Sequence, residues 1–311
     1  MSLMESRGAG GGKDRPRLVA VIPAYNEERF IGSVVLKAKE LVDVVIVVDD
    51  GSEDETGKIA RNARAMVVQH GANRGKGAAL NTGFRAASEM EPEAIAILDG
   101  DGQHRPEELS RVLSPILRGE ADVVVGSRYL TRRQTVPFHR ILGHRVFTFL
   151  TNVVSGTRVT DSQSGFRAFS PRAVRRIRFS SNGFAADSEV QFEASDHGLR
   201  VCEVPISACY EDKPKRSVWA HGLQVLRGLA RLAGRYRPLL LFGGLGIFVS
   251  LVGLALVMRS VGFNLSQGVL STVTALLAIA LLELGGQVLF TGVFLHSVRA
   301  LLVEFQHRDE G

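Results

Sequence analysis

Hydrophobic positions fall into two regimes along this chain. Up to about residue 220 they form short runs, at 18–22, 44–48, 65–69, 94–98, 122–125 and 201–206, separated by helix-length segments. Runs that are apolar throughout read as strands buried on both faces. Their alternation with helices predicts an α/β fold on a mostly parallel sheet. The segment 138–154 predicts a helix with a broad apolar face (Phe138, Ile141, Leu142, Val146, Phe149, Leu150), which either dips toward lipid or packs on the core.

Beyond residue 238 the punctuation stops. Residues 239–258 are 20 positions without a charge, which as a helix span roughly 30 Å, the thickness of a bilayer's hydrocarbon core. Residues 268–295 form a second apolar stretch with one acid, Glu283. We read two transmembrane helices, 239–258 and 270–296, in a hairpin covering 238–299; two buried core helices would need further sequence to cover them. Gly246, Ser250 and Gly253 share a face of the first span, and Ser271, Ala275 and Ala278 a face of the second. Small residues at this spacing allow close helix approach, within the hairpin or between subunits of a homo-oligomer. Glu283 in mid-membrane is costly and is expected to face protein.

Charge gives the hairpin a direction. Arg227, Arg231, Arg235 and Arg237 precede the first span, Arg299 and Arg308 follow the second, and the connection 259–267 holds only Arg259. The positive-inside rule then puts the N-terminal domain and a tail at 300–311 on the cytoplasmic face, at the cell membrane in a prokaryote. Segment 219–237, with Trp219, Leu223, Leu226, Ala230 and Ala233 against an arginine stripe, predicts a basic amphipathic helix. It lies among anionic headgroups or packs as an ordinary surface helix. Residues 1–15 are polar and glycine-rich, expected to be a disordered tail without a signal peptide. The whole carries 38 Lys and Arg against 32 Asp and Glu, a net +6, with 23% charged and 45% hydrophobic residues. That excludes an acidic disordered chain. Cys202 and Cys209 make neither a disulfide scaffold nor a zinc spacing. The arginines gather beside the spans without interleaved aromatics, so membrane lipids explain them and nucleic acid does not.

In open α/β sheets, ligands bind beyond the carboxyl ends of the strands. After the first run stands Pro23-Ala24-Tyr25-Asn26-Glu27-Glu28, after the second Asp49-Asp50-Gly51-Ser52, after the fourth Asp99-Gly100-Asp101-Gly102-Gln103-His104, and after the fifth Gly126-Ser127-Arg128. One acidic turn is ordinarily a helix cap. Four such ends at one edge indicate a site. The first turn lacks the Gly-x-Gly-x-x-Gly of a dinucleotide fold. Gly71–Gly77 has the wrong glycine spacing for a nucleotide-triphosphate loop, and Gly77 stands where a magnesium-binding Ser or Thr would be. Lys76 and nearby backbone N–H groups still suit an anion. Asp99 and Asp101 offer hard oxygens from one turn and Gln103 can add a carbonyl, a set suited to Mg²⁺ or Mn²⁺ shared with a diphosphate. These features point to a nucleotide-sugar donor.

The segments VIPAYNEE (21–28), VVDDGSEDET (47–56), NRGKGAAL (73–80), LDGDGQHRPEE (98–108), VGSRY (125–129) and DSQSGFRAFS (161–170) together resemble the family-2 glycosyltransferases. Within them the chain is similar to the dolichyl-phosphate (polyprenyl-phosphate) mannose and glucose synthases. The resemblance covers about residues 17–220 and implies a GT-A, Rossmann-like domain over 16–218 ahead of the membrane hairpin. It implies inverting, metal-dependent transfer of a hexose from GDP-mannose or UDP-glucose to dolichyl or polyprenyl phosphate. Pro23, Ala24, Tyr25 and Glu27 would line the nucleobase and ribose pocket, with Asp50 on base or ribose. Asp99, Asp101 and Gln103 would bind metal and diphosphate. Arg128 would face the lipid phosphate, aided by Arg140 or Arg145; its alternative is a salt bridge holding the loop. Ser164, Gly165 and Arg167 match the loop bordering the sugar, and Lys213, Lys215 and Arg216 a basic loop over the diphosphate. Asp187 and Glu189 occupy the carboxylate position that serves as base in other members, or else cap a helix.

A phosphate monoester, with a second pKa of about 6, is largely deprotonated already near neutral pH. The resemblance therefore assigns the larger share of catalysis to Arg128 and the metal, and a secondary one to Asp187 or Glu189. Residues 161–167 read Asp-Ser-Gln-Ser-Gly-Phe-Arg where mannose synthases typically show Asp-Pro-x-Ser-Gly-Phe-Phe, which leaves both donors open. A processive family-2 polymerase would want more spans and a Gln-x-x-Arg-Trp motif, which Trp219 lacks. A non-catalytic scaffold would have no need of these carboxylates and arginines.

Overall fold

The structure is a computed structural model describing residues 17–130, 138–180, 184–207, 227–228, 230–267 and 272–309, without the side chains of 138–143, 184–185, 263–267 and 303–309. It divides into two compact units, Met1–Gly222 and Leu223–Gly311.

The first unit is built on a seven-stranded sheet in the order β3-β2-β1-β4-β6-β5-β7. The strands are β1 (Leu18–Ala24), β2 (Val44–Asp49), β3 (Met66–Gln69), β4 (Ala94–Ile97), β5 (Val123–Ser127), β6 (Arg167–Phe169) and β7 (Val201–Pro205). All pair in parallel except β6, which runs antiparallel between β4 and β5. This strand is absent from the hydrophobic pattern because it has only three residues and begins with an arginine. The helices are α1 (Ile31–Lys39), α2 (Thr56–Asn62), α3 (Lys76–Ser88), α4 (Leu109–Leu117), α5 (Phe138–Ser155), α6 (Pro171–Arg176) and α7 (Phe184–Asp196).

Alternation along the central strands makes two cores. On β1, Ala20 and Ile22 face α1 and α4 residues such as Val35 and Leu113, whereas Val19 and Val21 face Leu80 and Phe84 of α3. Each fully buried Val, Ile or Leu contributes about 1.5–3 kcal/mol, so both faces must be covered for the sheet to persist. From β1 the chain winds outward through β2 to β3, then returns to the other side of β1 with β4. That reversal opens a crevice above the ends of β1 and β4.

The second unit carries a short helical stretch at 230–236 and a π-helical turn, Leu239–Gly243, leading into α8 (Gly244–Gln267); α9 (Thr272–Asp309) returns. In the 230–236 stretch Leu232, Ala233 and Tyr236 are buried, and Arg231 and Arg235 are exposed. Apolar stretches long enough to cross a membrane run over Leu239–Gly262 and Thr272–Leu302. The second helix continues through most of the segment expected as a tail, because no Gly or Pro interrupts 293–309. Within the hairpin the small residues meet each other: a Cβ on Gly246 would strike Leu289 N and Gly285 O, and one on Gly253 would lie 3.0 Å from Ala278 O. Glu283, expected to face protein, does not face α8. It is exposed on the outer side of α9, because the inner side is taken by glycines that let the two backbones touch.

Candidate active site

The crevice is walled by two loops that cap each other. After β1, the Asn26 N–H donates to Ser52 Oγ (3.0 Å) and the Glu27 N–H to Thr56 Oγ1 (2.8 Å). In return the Glu53 N–H donates to Asn26 Oδ1 (2.9 Å) and the Glu55 N–H to Glu28 Oε2 (3.1 Å). Asn26 adopts φ 55°, a left-handed conformation that Asn tolerates better than most residues. Pro23 and Ala24 end β1 at this wall, and Tyr25 stands 40% exposed at its rim.

The base or ribose contact expected of Asp50 is not what its geometry offers. The side chain is buried and both oxygens are used: Oδ1 lies 2.6 Å from His70 Nδ1 and accepts from the Arg74 N–H (3.0 Å), and Oδ2 accepts from the Gly75 N–H (2.7 Å). His70 Nε2 lies 3.0 Å from Thr82 Oγ1 on α3. This Asp50–His70–Thr82 line fixes the turn at Gly75 (φ 92°) and hence the start of α3 at Lys76. His70 carries no motif signal, since it closes an ordinary strand.

Lys76 is the centre of the site. Its Nζ lies 2.8 Å from Asp99 Oδ1 and 2.9 Å from Asp187 Oδ1. Burial would lower the pKa of this ammonium, but Asp187 and Asp99 outweigh it and hold Lys76 charged, well above the usual lysine range. Burial would likewise raise Asp99, yet Lys76 and His104 keep its carboxylate ionised far below the usual range. Among the described residues Asp101 makes no ion pair. Burial and the Asp99 charge push its carboxyl upward, against a single hydrogen bond to Oδ1 from the Gln103 N–H (3.0 Å) and the smaller contributions of His104 and Lys76. His104, buried against Phe166, places Nε2 3.7 Å from Asp99 Oδ2; its Nδ1 has no partner among the described residues.

Gly165 explains how Asp99 is approached. A Cβ there would overlap the Asp99 carboxylate, so only glycine lets the 161–165 loop pass. Gly165→Ala is therefore expected to turn Asp99 aside and lower turnover about 10²-fold. Thermal unfolding together with kcat checks this, with Tm little changed. Ser164 is fully buried beside it. Arg167 lies not in this loop but on β6, pairing with Ile97 of β4, 2% exposed, its Nη2 donating to Ser162 O (3.1 Å). Its Nε is buried without a partner among the described residues, and burial lowers its pKa against the pull of Asp187, Asp161 and Asp99.

Arg128 is held by Asp161, with Nε 2.7 Å from Oδ2 and Nη2 2.9 Å from Oδ1. The backbone of 160–161 is pinned in turn by Glu203 of β7, which accepts from the N–H groups of Thr160 (2.8 Å) and Asp161 (3.2 Å). Asp187 sits in the first turn of α7 and turns to Lys76. Glu189, fully buried, accepts from the Ser180 N–H (3.0 Å) and hydroxyl, so the two carboxylates serve different partners. Arg145 is exposed on α5. The side chain of Arg140 and all of Lys213, Lys215, Arg216 and Trp219 lie outside the described residues.

Among the described residues no three His, Cys, Asp or Glu side chains converge as a metal-binding group. Asp99 and Asp101 do fit a hard divalent ion. They are two carboxylates from one turn, one of them raised by burial and by the other's charge, a hard-oxygen pair that a divalent cation would relieve.

The sequence profile of glycosyl transferase family 2 matches residues 19–178. The chain is similar to the UDP-N-acetylglucosamine–dolichyl-phosphate N-acetylglucosaminyltransferase of Methanococcus voltae, 33% identical over 214 residues, covering 62% of this chain and 85% of that protein. It is similar also to the polyprenol monophosphomannose synthase of Mycolicibacterium smegmatis, 31% identical over 226 residues, covering 67% and 85%. Among solved structures it shares its fold with glucosyl-3-phosphoglycerate synthase of Mycobacterium tuberculosis, crystallised with Mn²⁺, UDP and glucosyl-3-phosphoglycerate. That likeness has a TM-score of 0.57 at 23% identity, covering 70% of this chain and 80% of that one.

Proposed function

Since the chain belongs to glycosyl transferase family 2, we propose that it transfers a hexose from a nucleoside-diphosphate sugar to a polyprenyl (dolichyl) phosphate at the cytoplasmic face of a membrane, with inversion. The observation that carries this reading is the Lys76–Asp99–Asp187 cluster beside Asp101 at the β1/β4 crevice. A divalent ion held by Asp99 and Asp101, with Gln103 nearby, would supply positive charge to the departing diphosphate.

The protein's own residues do the rest. Pro23, Ala24, Tyr25 and Glu27 receive the nucleoside at the capped wall. Asp50 acts through the 74–76 turn as a positioning residue for Lys76. Lys76 adds a fixed cation beside the diphosphate, and Asp187 holds its ammonium in place from the far side. Ser164 and Gly165 shape the space for the sugar, and the Nε of Arg167, unpartnered among the described residues, supports a role for it beside them. An oxygen of the acceptor phosphate forms a bond to the anomeric carbon as the bond from that carbon to the diphosphate oxygen breaks. The electron pair leaves with the nucleoside diphosphate. No proton need be removed from a nucleophile that is already anionic, so Asp187 and Glu189 are not required as bases. Arg128 acts through Asp161 by anchoring the loop that borders Asp99, and Arg145 meets the acceptor phosphate.

The acceptor's tail needs an apolar path. Val146, Phe149 and Val153 of α5 are 50%, 65% and 51% exposed, one stripe at helical spacing, which favours lipid contact over core packing for this helix. Phe149→Asp is expected to raise KM for long-chain polyprenyl phosphate about tenfold or more, since burying a Phe side chain contributes about 1.5–3 kcal/mol. KM for the donor and for a short-chain, water-soluble acceptor should stay constant. Equal effects on long and short acceptors would remove α5 from this role.

The test of the function is direct. Membranes containing the protein are incubated with labelled GDP-mannose, UDP-glucose or UDP-N-acetylglucosamine and polyprenyl phosphate. Label in a chloroform-soluble, mild-acid-labile product names the sugar. Transfer only to water-soluble acceptors, or none from any donor, would sink the reading.

A further inference from the structure

The outward polar pair on α9, Glu283 and Gln287, lies away from the side that packs on α8. Glu283 is exposed, and among the described residues its one hydrogen bond comes from Gln287 Nε2, 3.3 Å from Glu283 Oε1. The pair stands one turn apart toward the middle of the apolar stretch Thr272–Leu302. The opposite side of the helix, through Gly285 and Leu289, packs on Gly246 and Ser250 of α8. Around Glu283 the outer face runs through Ile279, Gly286, Gln287 and Phe290, all exposed, and a Cβ added at Gly286 would meet nothing within 4 Å.

Hydrocarbon offers neither donors nor acceptors, so a carboxyl and an amide at that depth need partners from another helix. We propose that a second copy of this chain supplies them, the two α9 helices packing in parallel about a two-fold axis normal to the bilayer with Gly286 at the crossing. The proposal rests on the reading of α8 and α9 as membrane spans. Copies inserted by the same charge rule run parallel, so equivalent residues meet at the same depth. Helical side chains lean toward the N-terminus, which brings the Gln287 amide to the level of Glu283, as its hydrogen bond within the helix already shows. Each copy then presents one carboxyl and one amide with an N–H left over at one level. Each amide donates once to its own Glu283 and once to Glu283 of the partner subunit. The face is thus complementary to itself, which is what an isologous pair requires, and Gly286 lets the backbones come close enough for the side chains to reach.

Cross-linking in the membrane tests it. The full chain, with Cys202→Ser and Cys209→Ser as background, receives Gly286→Cys and is oxidised in the membrane. The expected product is a disulfide-linked species of twice the chain mass. Phe248→Cys, on the 64% exposed outer side of α8, should stay monomeric under the same oxidation. In the Gly286→Cys chain, the pair Glu283→Leu with Gln287→Leu should bring the dimer down to the Phe248→Cys level, whereas Glu283→Gln should keep it. A monomeric Gly286→Cys chain, a cross-link of any mass other than two copies, or a dimer indifferent to the double leucine change would each overturn the proposal. Alkaline carbonate extraction of the same membranes separates this from a failure of the span assignment. A chain released by carbonate ends both, and one retained but not cross-linked ends only the dimer. Lipid-linked sugar formation, measured alongside, shows whether the catalytic reading stands independently of either.

Discussion

Asp101→Ala is expected to lower sugar transfer about 10³-fold, the scale on which removing one preorganised electrostatic element slows an enzyme, while leaving the fold at least as stable as before. Both halves follow from the same geometry. Among the described residues Asp101 has one hydrogen bond, from the Gln103 N–H, and burial together with the charge of neighbouring Asp99 raises its pKa. A carboxylate raised in the folded state is destabilising when ionised, so the native protein holds it against its own electrostatic preference. Such a group earns its place only when a cation arrives. On the proposed reading, removing it deletes a ligand for the ion and the repulsion at once. The check is kcat/KM across a Mn²⁺ and Mg²⁺ titration, paired with thermal unfolding without metal. Activity should collapse while Tm holds or rises. A fall in both would mean that Asp101 is structural, and full activity would remove it from the metal site. Asp101→Asn, which keeps the hydrogen-bond acceptor, should recover part of the rate at higher metal concentration.

Much of this site was readable from residue order, because a parallel strand that stops at Asp49-Asp50 or before Asp99-x-Asp101 can only deliver those carboxylates to one edge of the sheet. What escaped the sequence is how side chains divide their bonds. Asp50 and Asp99 look alike in the chain, yet one is consumed by His70 and the Gly75 turn while the other faces Lys76. The difference arises from α3, which returns its N-terminus to the sheet edge with a cation on its first residue, and no local pattern records that. Strand β6 was hidden for a different reason. Its pairing on both sides lets Arg167 sit buried where the hydrophobic pattern shows an arginine. The expectation that Glu283 faces protein did not say whether that protein is α8. The packing energy of Gly246 against Gly285 turned that residue outward.

Asp161→Asn is expected to cost about 3–5 kcal/mol of stability, the usual result of breaking a buried ion pair by removing one partner. The Asp161 side chain is 1% exposed and that of Arg128 10%, and the guanidinium meets the carboxylate through two nitrogens. Burial alone would push the Asp161 carboxyl up, but Arg128 outweighs it and holds the group below the usual range. A carboxylate depressed in the folded state contributes stability that is fully present above its unfolded value, about 3.9, and is lost as pH falls through the lower folded value. The stability gap between wild type and Asp161→Asn should therefore be constant from neutral pH down to about pH 4 and narrow below it, as urea unfolding at stepped pH would read. A gap that shrank already near pH 6 would point to a histidine instead. Function and fold can then be separated with the double change Asp161→Leu with Arg128→Met. Apolar replacement of both partners commonly restores the stability of a broken buried pair. If Arg128 does no more than hold the fold, the double variant regains transfer with its Tm. If the pair sets the 161–165 loop against Asp99, through the contact that Gly165 permits, Tm returns and kcat does not. The second outcome is the expected one, with Tm returning only in part, because an apolar pair cannot take up the hydrogen bonds that Asp161 now accepts from the backbone N–H groups of Arg128 and Gln163.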